Sequence, residues 1–193
     1  MSISLKTPIS EDEIRGLKLG ESVELNGIMV TARDMAHKLM VEERPDFVRE
    51  YLKEGLIYHC GPVVKKENDI WSFVAAGPTT SSREEPYQAD VIKEYTVRGV
   101  IGKGGMGDKT SAGLKDTGAV YFHAIGGLGT LLAQCAKKVL TVFKLEEFGS
   151  PEAFWVIEVE KFPVVVTMDS HGQSIHQQVE NQSKEKLGQL LAL

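Results

Sequence analysis

A handful of side chains in this sequence have the types and the neighbours needed to hold a small anion. Residues 77–83, GPTTSSR, set Thr79 and Arg83 in a run of hydroxyls behind a Gly-Pro turn. Residues 102–107, GKGGMG, place Lys103 among glycines that leave the backbone nearly bare. An anion site needs free amides and room for close approach, and the glycines around Gly104 and Gly105 supply both. Arg83 offers a planar fork that matches a carboxylate through two hydrogen bonds, and Lys103 offers a point charge. Arg33 is a third cation, where an expected strand hands over to a helix, with His37 one turn further along the same face. Together these types indicate a small substrate that carries a carboxylate.

Such residues need rigid elements beneath them. ESVELNGIMVTA has an Asn-Gly pair between apolar runs and predicts a tight hairpin. RDMAHKLMVEE predicts a helix with Met35, Leu39 and Met40 on one side and Asp34 paired to Lys38 at the surface. RPDFVREYLKEG predicts a second helix that starts near Pro45 and ends near Gly55. LIYHC, IWSFVAA, GVIG, AVYFHAI, FWVIEV and PVVVTMD read as short strands. PYQADVIKEY, TSAGLK and GTLLAQCAKKVL read as helices between them, and residues 174–193 as a polar terminal helix. In this pattern Cys135 falls with Leu128, Leu131, Leu132 and Val139 as core, and Trp71 and Trp155 are strand or core aromatics. The alternation predicts an α/β domain spanning 1–193, with a central sheet flanked by helices.

Composition sets the outer limits. The 193 residues are 42% hydrophobic and 25% charged, ordinary for one soluble domain. A net charge of −5 with no basic patch argues against nucleic acid. No run reaches the roughly 18 apolar residues of a membrane span, and the start lacks a signal-peptide core, so a cytoplasmic location is expected. Cys60 and Cys135 are too far apart in the chain for a disulfide framework or a CxxC metal site.

Rival readings weigh less. GKGGMG formally fits GxGxxG, but the Rossmann unit also requires a long helix straight from the loop and an acidic residue about 20 positions on, and AIGGLGT stands there instead. Lys103 is followed by Gly104 where a phosphate loop needs Ser or Thr. Asp169, Ser170 and His171 are chain neighbours and would not reach triad geometry. His59, His123, His171 and His176 show no ligand spacing, so no metal site is expected in this chain. A plain turn, or a noncatalytic module that binds a small anion, remains the alternative for the glycine loops.

The set GPTTSSR, GKGGMG, ARDMAH, AIGGLGTLLA and PEAFWVIEVEKFPVVVTMDSHG, in this order and spacing, resembles the beta subunit or C-terminal domain of class I iron-sulfur fumarases and tartrate dehydratases. The resemblance implies a swivelling β/β/α layered domain. It implies reversible hydration of fumarate to malate, or the corresponding tartrate elimination, at a site shared with an alpha subunit in a hetero-oligomer. A four-iron four-sulfur cluster would come from that partner. Thr79 matches the family's proposed base, Arg33 and Arg83 the arginines that grip substrate carboxylates, and Lys103 the lysine that steadies the charge formed as a proton leaves. His37, Gly104 and Gly105 would support them. Two departures stand out. Relatives commonly have RM where this chain reads Arg83, Glu84, Glu85, and Glu84 is expected to face solvent or a basic patch on the partner. Relatives also tend to end DSxGNSLY, where this chain reads Asp169 to His176 as DSHGQSIH.

Overall fold

In the computed structural model, which describes residues 2–191, the chain opens with β1 (Ile3–Lys6), a short helix α1 (Glu11–Arg15) and the long strand β2 (Ser22–Thr31). Helix α2 (Asp34–Glu42), a 3-10 turn (Asp46–Val48) that runs into α3 (Arg49–Leu52), and β3 (Leu56–Tyr58) follow. A hairpin, β4 (Val63–Glu67) and β5 (Ile70–Ala75), precedes a second 3-10 turn (Ser81–Arg83), α4 (Gln88–Tyr95) and β6 (Gly99–Gly102). Then come α5 (Asp108–Thr117), β7 (Val120–His123), α6 (Gly129–Cys135), β8 (Ala136–Phe143), α7 (Leu145–Phe148), β9 (Phe154–Met168) and α8 (Ile175–Leu191).

Seven strands form one mixed sheet in the order β1-β2-β3-β6-β7-β9-β8, and β4 with β5 forms a separate two-stranded sheet. β2, β3, β6 and β7 run parallel, which requires crossovers; α2 with α3, then α4, then α5 provide them. β9 runs antiparallel to β7 and also along β2, so the pairings β2–β3–β6–β7–β9–β2 make a closed circuit. Alternation along the strands divides the core between two faces. Leu56, Tyr58, Val120 and Phe122 join a cluster with Trp155 and Leu132, while Ile57 and Tyr121 join one under α2, α3, α4 and α5. Trp155 is fully buried, with the Trp71 ring centroid 5.2 Å away in an edge arrangement.

Several expectations are corrected. Asn26-Gly27 makes no hairpin: β2 runs straight through it with a bulge, because the left-handed φ of Gly27 (+91°) serves a bulge as well as a turn. The Asn26 side-chain oxygen accepts from the Lys161 amide at 2.9 Å, tying the bulge to a matching left-handed residue in β9. FWVIEV and PVVVTMD are one strand of 15 residues, since β2, β7 and β8 all need its edges. GTLLAQCAKKVL is helical only to Cys135; its second half is strand β8, an outer strand whose exposed Lys137 and Lys138 suit a sheet edge. Cys135 is consequently half-buried, and Leu131 is exposed. RPDFVREYLKEG gives only a 3-10 turn and one α-helical turn, with Pro45 as N-cap. Lys38 pairs with Glu42 at 3.9 Å, because Asp34 is engaged elsewhere. The terminal helix forms as expected from Ile175 with no buried residue; positions 192–193 lie outside the described residues.

Candidate active site at the carboxyl ends of the parallel strands

In open α/β sheets ligands are held beyond the carboxyl ends of parallel strands. Here four such ends lie side by side: β2 leads to Arg33, β3 to His59 through Gly61, β6 to Lys103 and β7 to Gly126 and Gly127. The hydroxyl segment after β5 is laid across them. Thr79 donates its amide to the His59 carbonyl at 2.6 Å, Lys103 donates to the Thr79 carbonyl at 3.3 Å, and Ser81 donates to the Lys103 carbonyl at 3.0 Å. GPTTSSR and GKGGMG are therefore one structure, a short parallel bridge of Thr80 with Lys103 that extends β6. Gly102 allows it by size. A Cβ there would fall well inside contact with the Ser81 hydroxyl and 3.1 Å from His59 Nδ1 and the Tyr121 hydroxyl.

The two arginines are held by acids. Arg33 is the N-cap residue of α2; its Nε lies 3.3 Å from Glu152, and its guanidinium packs so closely over Gly61 that a Cβ there would stand 2.6 Å from Nη1. Glu152 also accepts the Met35 amide at 3.1 Å. Arg83, half exposed, donates to Asp34 in a short ion pair, which places both arginines beside the start of α2. Lys103 is half-buried next to Gly126 and, among the described residues, has no ion pair. Glu84 corrects an expectation: it is fully buried rather than turned to solvent, next to the contact of Arg83 with Asp34. Burial, with the nearby Asp34 carboxylate, pushes its carboxyl up to about 8. Burial would also raise Asp34, but hydrogen bonds from Glu84 and Arg83 and the charges of Arg83 and Arg33 outweigh it and hold Asp34 low.

A buried polar chain links the two loops. His37 and His59 both turn Nε2 toward the Gln88 amide, at 2.9 Å and 2.6 Å. His59 Nδ1 lies 2.8 Å from the Ser81 hydroxyl, which is 2.9 Å from the Tyr121 hydroxyl. Burial pulls His37 down to about 4, and burial plus the neighbouring His37 pulls His59 to about 3, so both rings are neutral at pH 7. His37 Nδ1 faces the Arg33 carbonyl at 2.9 Å and must donate to it. Its Nε2 is then an acceptor, so Gln88 presents its NH2 group to the pair, one hydrogen to each ring. That orientation exchanges the two amide ends, putting the nitrogen where Oε1 faces both rings and the oxygen in the buried position that has no partner.

The glycine loop has its own anchor. Glu85 accepts the Gly107 amide at 2.7 Å, the Thr110 amide at 3.1 Å and the Thr110 hydroxyl at 2.8 Å, so its carboxylate caps the start of α5. Gly104 and Gly105 both take left-handed φ, +84° and +79°, and a Cβ on Gly105 would collide with the His176 ring. The cleft of about 420 Å³ between this loop and α8 is lined by Gly104, Gly105 and His176; Arg33, Thr79, Arg83 and Lys103 are not among its walls.

Thr79, Arg83, Lys103 and Arg33 thus belong to one edge of the sheet, with His37 beneath Arg33 and Gly104 and Gly105 beside Lys103. Asp34, Glu152, His59, Ser81 and Gln88 escaped the sequence reading. Two carried a signal: Ser81 belongs to the hydroxyl run GPTTSSR, and His59 lies near the end of the apolar run LIYHC. Asp169 forms a turn instead, accepting the His171 amide at 2.9 Å and the Gln173 amide at 2.8 Å. The cysteines do not fit an iron-sulfur cluster: Cys60 is a fully buried thiol pushed by burial up to about 12, and Cys135 lies at the far end of α6. Among the described residues no group of three or more His, Cys, Asp or Glu could hold a metal ion.

The chain is similar to known proteins. The family model described as Fumarase C-terminus matches residues 1–179. A Geobacillus stearothermophilus protein, provisionally named fumarate hydratase class I, is 50% identical over 188 residues, 97% of this chain but 36% of that protein. This chain therefore spans about a third of that relative's length. A Methanocaldococcus jannaschii protein, provisionally named L(+)-tartrate dehydratase subunit beta, is 42% identical over 96% of each chain. The L(+)-tartrate dehydratase subunit beta of Escherichia coli K12 is 35% identical over 89% of this chain and 85% of its own. With a match that covers most of its length and carries the strands, both loops and the Arg33 turn, the chain belongs to the fumarase C-terminal family.

Proposed function

We propose that this chain is the beta subunit of a two-subunit hydro-lyase that hydrates fumarate reversibly to malate, and that Arg33, Thr79, Arg83 and Lys103 are its share of the active site. The observation that carries the reading is the backbone bridge of Thr80 with Lys103, in which the Lys103 amide bonds the Thr79 carbonyl, together with two acid-held arginines, Arg33 after β2 and Arg83 in the 3-10 turn that follows the bridge. The four-iron four-sulfur cluster implied by the family is assigned to an alpha partner, since this chain's donor set does not fit it. The swivelling arrangement of layers and a cytoplasmic location belong to the same proposal; among the described residues no helix is long and apolar enough to cross a membrane.

In this reading Arg33 and Arg83 hold the two carboxylates of the substrate. In dehydration of malate Thr79 Oγ1, in its anionic form, takes the proton from the carbon beside one carboxylate. The C–H pair forms the double bond and the hydroxyl leaves the adjoining carbon, a departure that the partner's cluster would assist as a Lewis acid; in hydration Thr79 returns that proton to the same carbon. A threonine oxygen is a weak base in water. Lys103 makes the transfer feasible in two ways: its charge favours the oxygen's anionic form and steadies the negative charge that collects on the substrate carboxylate as the proton leaves. Supported by Arg33 and Arg83, it gives the site a surplus of positive charge suited to a dianion.

Tartrate is the second reading, because two relatives of nearly the same length as this chain are named tartrate dehydratase beta subunits. The test is reconstitution with a cluster-bearing alpha partner, followed by fumarate absorbance and tartrate consumption. Thr79→Ala and Lys103→Ala are each expected to lower turnover by about 10²–10³, the usual loss of one proton-transfer or charge-stabilising group. Parent-level turnover in both variants would refute the assigned roles, and a higher kcat/KM for tartrate than for fumarate would select the second reading.

A further inference from the structure

Glu84 is the one acid in this region that no reading of the family motif explains. It is fully buried, and counted as a carboxylate neither of its oxygens has a hydrogen-bond donor. Its neighbour Asp34 has the same defect in part: Oδ2 accepts from Arg83, while Oδ1 is buried without a donor. Two buried carboxylates so close to each other are costly, and a single proton removes one charge and pairs two of the three orphaned oxygens. Arg83, the residue just before Glu84, is bonded to Asp34 and so brings the two acids together, and a hydrogen on one Glu84 oxygen shared with Asp34 Oδ1 would make that pair.

We propose that Glu84 is a positioning residue that works as a neutral acid: its proton binds Asp34, Asp34 thereby stays fixed against Arg83, and loss of the proton at alkaline pH spoils the site for dicarboxylates. This deepens the functional reading above and rests on it for the identity of the ligand.

The charges around Glu84 favour the proposal. Arg83 adjoins it in the same 3-10 turn, Asp34 and Arg33 face it from the start of α2, and Glu152 faces the two arginines. His37 and His59 beside this group are neutral, and Tyr121 is held protonated chiefly by burial. With Glu84 neutral, Arg33, Arg83 and Lys103 stand against Asp34 and Glu152, leaving one positive charge in excess for a dianion. With Glu84 ionised the excess is gone. Burial and the Asp34 contact place that change at about pH 8.

The test compares parent, Glu84→Gln and Glu84→Met, using both the full chain and its complex with the alpha partner. Gln keeps a donor to Asp34 without a titrating proton, whereas Met keeps bulk without the donor. The parent's KM for fumarate is expected to rise about tenfold per pH unit above pH 8, the slope of a single ionisation, with kcat changing far less. In Glu84→Gln the rise should be less than about twofold, and Glu84→Met should have a raised KM already at pH 7. The melting temperature of the chain alone, from pH 5 to 9, reads the same proton without substrate. Both profiles should rise to about pH 6.5 as the histidine contribution is completed; between pH 6.5 and 8 the parent should fall and Glu84→Gln stay level. Identical melting profiles for the two would overturn the proposal whatever the activity, as would an alkaline KM limb that survives in Glu84→Gln. If the melting profiles differ while no complex turns over any dicarboxylate, the hydro-lyase reading fails, and the ligand half of this proposal falls with it.

Discussion

Gly102→Ala tests whether the two loops are joined through Ser81. The added methyl would overlap the Ser81 hydroxyl and press on His59 Nδ1 and the Tyr121 hydroxyl at 3.1 Å, all in fully buried surroundings. Overpacking of this kind costs roughly 1–3 kcal/mol. Displacing the hydroxyl also breaks its bonds to His59 and Tyr121 and leaves a buried donor unpaired, about 1–3 kcal/mol more. A total of roughly 2–6 kcal/mol lowers the melting temperature by about 4–24 °C for a chain of this size. Calorimetry on the parent, Gly102→Ala, Ser81→Ala and the double variant completes the cycle. Removing the Ser81 oxygen first makes room for the methyl, so the double variant should cost at least about 1 kcal/mol less than the sum of the singles. Additive costs, or a Gly102→Ala chain that melts within about 2 °C of the parent, would refute the coupling.

Two further outcomes follow from the same network. His37 and His59 have folded values of about 4 and 3 against the model-compound 6.5, so their contribution to stability is present above pH 6.5 and is lost as pH falls. Glu84 has the opposite sign: its folded value of about 8 against 4.5 means stability present below pH 4.5 and lost as pH rises toward 8. Each group contributes at most about 1.4 kcal/mol per pH unit within its window, so the melting temperature should peak near pH 6.5; a peak at pH 8 or above would contradict the assigned states. Glu85→Ala removes the cap on α5 and should cost about 0.5–2 kcal/mol, with a raised KM because Gly107 loses its anchor; an unchanged KM would show that the glycine loop does not depend on Glu85.

The strands beneath the site were legible because LIYHC, GVIG and AVYFHAI are apolar runs too short for helices, bounded by glycines and charges. The loops were legible because glycine, hydroxyl and cation cluster where those runs stop. Other features were hidden for physical reasons. Asn26-Gly27 announces a left-handed residue but cannot say whether the chain reverses or bulges; that depended on Thr7 and Lys161, each distant in sequence. Residues 128–139 satisfy a helical period, and only the demand of β9 for a partner turned the second half into a strand. Asp34 looked like half of a surface pair with Lys38 until Arg83 claimed it, and Gln88 is one polar residue on an ordinary amphipathic helix, with nothing local to mark it as the link between two histidines.

β9 has a consequence for how the protein is made. It pairs Ser22 with Val165 and Thr31 with Trp155, so the earliest long strand waits for one of the last. During synthesis the side of β2 that takes β9 stays unsatisfied until residues 155–165 have left the ribosome, an open template for wrong pairing in the meantime. Folding dominated by such distant partners is slow. Nascent chains stalled before residue 155 should therefore be protease-sensitive throughout, and maturation should be all-or-none rather than stepwise.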